Sequence, residues 1–114
     1  MALAAVLIAF SFGRTGGNII PFTVTIATSG RVQVSGPVHV GHRTLTNAQL
    51  TTLGRVATQV RFSSMQGAMC PRTNPDVAST FIRHSSRTVR VHGACISGYA
   101  RLWNALTAAV KLSY

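Results

Sequence analysis

The 114-residue chain has room for a single domain, and 46% apolar residues against 11% charged ones exclude a disordered chain. Ten arginines and one lysine face a single carboxylate, Asp76, for a formal charge of +10. That balance excludes the paired acid and base of glycosidases and carboxylate-rich metal cages, and it attracts anions: nucleic acids, anionic lipid head groups, wall polymers or acidic proteins.

Residues 1–12, MALAAVLIAFSF, form an apolar run of signal-peptide core length, short of the ~20 residues that span a bilayer. The run predicts a leader over residues 1–17 and a single domain over 18–114, secreted or held at the cell envelope. No Lys or Arg precedes the run, Arg14 follows it, and no small-x-small cleavage site stands before Gly16 and Gly17. A start further upstream supplies the missing basic region; otherwise Leu3–Phe12 is a buried strand or helix.

After the glycine-rich junction Gly13–Gly17, Phe22–Ile26 alternates apolar and polar residues, and Arg31–Ser35 alternates again. Thr28-Ser29-Gly30 between them predicts a hairpin, with Gly30 free to take the positive φ of a short loop. Thr46 and Gln49 have the spacing of a capping box, flanked by Leu45 and Leu50. Leu50, Leu53, Val56, Ala57 and Val60 then fall on one face of a helix over Asn47–Val60. Gly54 inside it is a candidate for close approach to the sheet. A loop with Cys70-Pro71 and Asn74-Pro75 leads to a second hairpin, Val77–Arg83 and Arg87–His92 about a polar turn at His84–Ser86. Tyr99, Leu102, Trp103, Leu106, Ala109 and Val110 recur at steps of three and four and predict a second amphipathic helix packed on the sheet.

The expected fold class is α+β, in the order ββαββα, with one four-stranded antiparallel sheet and both helices packed on a single face. In the second hairpin the start of one strand lies beside the end of the other. Cys70 and Cys95 flank those two ends and are expected to pair in an oxidising compartment.

FTVTIATSGRVQVSGP (residues 22–37), LTNAQLTTL (45–53), Cys70 through PDVASTF (70–81), RTVRVHGAC (87–95) and LWNALTAAV (102–110) together resemble a group of short uncharacterised exported proteins of actinobacteria and related bacteria. The resemblance implies an exported ββαββα domain and transfers no activity or site residues.

Nothing in the sequence points to a cofactor, a catalytic set or a metal site. There is no nucleophile elbow and no glycine-rich phosphate loop, and His39-x-x-His42 offers two ligands from one loop. Asp76 is expected to pair with an arginine and hold the loop near Cys70. On the uncovered sheet face Arg90 and His92, joined by Arg31 and Gln33, are the candidate anion-binding residues. Aromatics that would stack on bases are scarce there, which disfavours sequence-specific nucleic-acid recognition. The leading expectation is therefore a non-enzymatic exported module that binds an anionic envelope component or an acidic protein through a basic sheet face. The alternatives are a small secreted hydrolase or ribonuclease using His84 or His92, and a protease-inhibitor-like module presenting Pro71–Asn74.

Overall fold

A computed structural model describes residues 7–16 and 20–114 of the chain. In the first of these segments large apolar residues alternate with small ones, Phe10-Ser11-Phe12-Gly13, and the alternation makes strand β1, Ile8–Thr15. The domain therefore reaches back past the expected boundary at residue 18, because β1 is one of the two central strands of the sheet and its Phe10 and Phe12 are 2% and 0% exposed. Residues 1–6 and 17 of the expected leader lie outside the described residues.

The expected hairpins flank β1. On one side β2, Phe22–Ala27, pairs antiparallel with β1, and β3, Val32–Ser35, pairs with β2. On the other side β6, Ser79–His84, pairs antiparallel with β1 and with β7, Arg87–His92. A two-residue strand β5, Ala68–Met69, runs parallel to β7 at the far edge. The sheet is thus six-stranded and mixed, in the order β3-β2-β1-β6-β7-β5, where a four-stranded antiparallel sheet was expected. Two further short strands, β4 (His39–Val40) and β8 (Leu112–Ser113), pair with each other as a separate ribbon.

Helix α1 spans Asn47–Gln59 and begins as its sequence dictates: Gln49 N–H donates to Thr46 Oγ1, and Thr46 N–H donates to Gln49 Oε1. Helix α2 spans Ser97–Val110. Leu53 and Ala57 of α1 join Tyr99, Leu102, Leu106 and Val110 of α2 in one cluster with Phe12, Val24, Ile82, Val89 and Val91 of the sheet. The apolar sheet face is therefore covered by the helices. Gly54 does not serve the close approach expected of it, since a Cβ there would meet open space. Gly98 of α2 instead lies against Val60, at the end of α1.

Cys70 and Cys95 form a disulfide with their Cα atoms 5.6 Å apart. Their approach comes through β5, which places Cys70 against the end of β7, where Cys70 N–H donates to the His92 carbonyl. Gly93, at φ +102, is fitted closely against Cys70 and Thr73, where any side chain would collide. Among the described residues no helix is long and apolar enough to cross a membrane.

Candidate anion-binding face

Strand alternation sends every second residue of the sheet away from the helices. The register aligns those residues into rows across the strands. One row runs Gln33, Thr25, Ser11, Arg83, Thr88, and the next runs Ser35, Thr23, Gly13, Phe81, Arg90. A third, shorter row begins with Thr15 and Ser79, and there Ser79 Oγ bonds His92. These rows hold hydroxyls, one amide and two exposed guanidinium groups, and no carboxylate.

The face is shaped by Gly13 and Phe81. A Cβ on Gly13 would run into the Phe22 carbonyl and would lie 3.1 Å from the Phe81 ring, so the ring fills the space that glycine leaves open. The Arg90 guanidinium lies over that ring, 5.8 Å from its centroid. Arg90 is thereby held against the sheet with its donors exposed, and Arg83 stands in the adjacent row.

The structure does not bring Arg31, Arg90 and His92 together. Arg31 is outside the strand, in an isolated bridge with Thr44, and shares a shallow groove with Gln33 and Arg43. Because β1 is inserted between the two hairpins, four strand spacings separate β3 from β7, about 19 Å. His92 is an anchor for the neighbouring loop: its Nδ1 lies 3.1 Å from Ser79 Oγ and its Nε2 lies 3.2 Å from the Asn74 carbonyl. With both ring nitrogens engaged, it has little left for a ligand.

Arg83 is the residue that sequence reading missed. Its signal was present, since Ile82 points inward and its neighbour must point outward, but its row mates Ser11 and Thr25 become visible only once β1 enters the sheet.

The other expectations resolve individually. Asp76 is exposed; its N–H closes a turn on Asn74 Oδ1, and its carboxylate takes no arginine among the described residues. Arg14, the arginine beside it in a shallow depression, stacks on Tyr114 at 4.6 Å. His84 and His92 sit at opposite ends of the β6–β7 hairpin, about 17 Å of strand apart, so they do not form an acid–base pair. His42 bonds the Ala109 carbonyl. No cluster of three His, Cys, Asp or Glu side chains suited to a metal occurs among the described residues. The segment Pro71–Asn74 is tied down at Asn74 by His92. No family model, curated protein or solved structure matches the chain.

Proposed function

We propose that this protein is a non-enzymatic exported module that binds an extended anionic polymer of the cell envelope across the open face of its sheet. The observation that carries the reading is the face itself: exposed Arg83 and Arg90 stand among hydroxyls and one amide, with no carboxylate in the rows. Guanidinium groups form charge-assisted hydrogen bonds to phosphate or carboxylate, and the hydroxyls suit the polar remainder of a polymer. The separation of Arg31 from Arg90 favours a long ligand over a small anion, because one strand of polymer laid across the sheet reaches both corners. The disulfide fits an oxidising compartment.

The test is binding of the oxidised protein to a polyphosphate chain at low and at physiological salt. Affinity is expected to fall steeply with salt, and Arg83→Gln/Arg90→Gln is expected to lower it about tenfold or more at low salt. Arg55→Gln/Arg101→Gln removes the same charge from exposed positions on the helices and should cost much less. Equal losses in the two pairs would leave only net charge as the cause and overturn the assignment of the face. Retention by a polyglutamate chain without retention by polyphosphate would move the ligand to an acidic protein.

A further inference from the structure

Away from the open face, the tip of the β6–β7 hairpin and the turn that follows α1 enclose a cleft of about 640 Å3. Its walls include Arg61, His84 and Arg87 together with the hydroxyls of Ser63, Ser64 and Ser85. The chain's one acid, Asp76, is not part of it.

Each of the three nitrogen-bearing side chains is held in a particular way. His84 stacks on Phe10 at 4.2 Å between centroids and takes the edge of Phe62 at 5.9 Å. Its Nδ1 lies 2.8 Å from the Ala9 carbonyl. A carbonyl only accepts, so Nδ1 carries the hydrogen, and Nε2 is the ring atom left without a protein partner among the described residues. Arg87 donates through Nη2 to the Met65 carbonyl, which fixes its plane, while its Nε is buried and has no partner among the described residues. A buried guanidinium donor without an acceptor is destabilising as it stands, and a ligand in the cleft satisfies it once a small movement of the Arg87 side chain exposes Nε. Arg61 is the residue after the α1 cap and adopts φ 56, a left-handed position at which helices ordinarily end in glycine. An arginine there places a second guanidinium group at the cleft against the backbone preference.

We propose that this cleft is a binding site for a phosphate group, with Arg87 and Arg61 as its charge partners and His84 Nε2 as a further hydrogen-bonding atom. Two guanidinium groups and serine hydroxyls offer donors from several directions, and His84 Nε2, with the ring hydrogen on Nδ1, accepts from a phosphate hydroxyl, which matches a tetrahedral oxyanion and not a planar apolar ligand. The site is independent of the open face, because Arg83 and Arg90 point to the other side of the sheet from His84.

The experiment is titration of the oxidised protein with inorganic phosphate and, separately, with glycerol phosphate, followed by the nitrogen resonances of His84 and Arg87. Saturable shifts of His84 Nε2 and Arg87 Nε–H with one common affinity are expected. Tighter binding of glycerol phosphate identifies an organic phosphomonoester as the ligand class, and equal binding identifies the free ion. Arg61→Gly suits the left-handed backbone, so it should keep or raise the melting temperature while weakening phosphate binding by roughly tenfold. Arg87→Lys keeps the charge but removes the Nε donor and should weaken binding similarly. Arg83→Gln/Arg90→Gln should leave this titration unchanged, which separates the cleft from the open face. Absence of a saturable shift at His84, or unchanged affinity in both Arg61→Gly and Arg87→Lys, would overturn the proposal.

Discussion

Gly54 is the residue whose conformation and surroundings disagree most clearly with its chemistry. It lies inside α1, where glycine costs backbone entropy, and nothing within 4 Å would meet an added Cβ. Gly54→Ala is therefore expected to stabilise the protein by about 0.5–1 kcal/mol, read as an upward shift of the denaturant midpoint at constant slope. Gly13→Ala is the opposite case, since its methyl would collide with the β2 backbone, and a loss of more than about 2 kcal/mol is expected. Tyr99 supplies a pH-dependent prediction. Burial pushes its phenol up to about 12, opposed by its hydrogen bond with Thr80, whose Oγ1 lies 2.7 Å from the Tyr99 hydroxyl. Below pH 10 the group is neutral in both folded and unfolded chains; between about 10 and 12 only the unfolded chain releases the proton. Stability should fall across that window, and Tyr99→Phe should remove that part of the alkaline loss in urea titrations run at stepped pH.

At the scale of elements, the legible parts were those encoded locally. Thr46 and Gln49 specify the start of α1 by their own side chains, Gly30 supplies the φ of +93 at the β2–β3 turn, and the three-and-four spacing of α2 needs no knowledge of its partners. The middle of the sheet was not legible because β1 looks like a different object. A central strand is apolar on the face it buries and small on the other, so Ala9-Phe10-Ser11-Phe12-Gly13 within a longer apolar run resembles the core of a leader. The Ser11 and Gly13 interruptions mark a strand only when their partners on β2 and β6 are known. β5 and β8 escaped for a simpler reason: two residues carry no period. The candidate face was legible in its chemistry but not in its layout, since inserting β1 sends Arg31 to one corner and Arg90 to the other. If β1 is the centre of the fold, Phe12→Ala should cost about 3–5 kcal/mol, whereas Leu7→Ala, one residue before the strand and 67% exposed, should cost almost nothing. Chemical denaturation of the two variants checks this directly. Reduction of Cys70–Cys95 should cost roughly 3 kcal/mol by releasing the 25-residue separation it closes.

The whole molecule carries eleven basic side chains and one acid on a body whose extents are 48 × 31 × 29 Å. At about 10 mM salt the screening length is about 30 Å, so positive charges on opposite sides of the protein still repel one another; at about 150 mM it is about 8 Å and only neighbours do. Like-charge repulsion is relieved when the chain expands, so the native state should gain stability as salt is added, with the melting temperature rising between those two concentrations. A bound polyanion relieves the same repulsion from the outside and binds the folded surface preferentially, so polyphosphate at low salt should raise the melting temperature further, and less so at high salt. Arg83→Gln/Arg90→Gln separates the two effects. With two charges fewer it should melt higher than the parent protein at low salt, yet gain less from polyphosphate, because the open face has lost the groups that hold the polymer. Thermal melts of both proteins at the two salt concentrations, with and without polyphosphate, give the answer in one set. A variant that gained as much from the polymer as its parent would show that the stabilisation comes from charge spread over the whole surface and would remove the open sheet face from the account of binding.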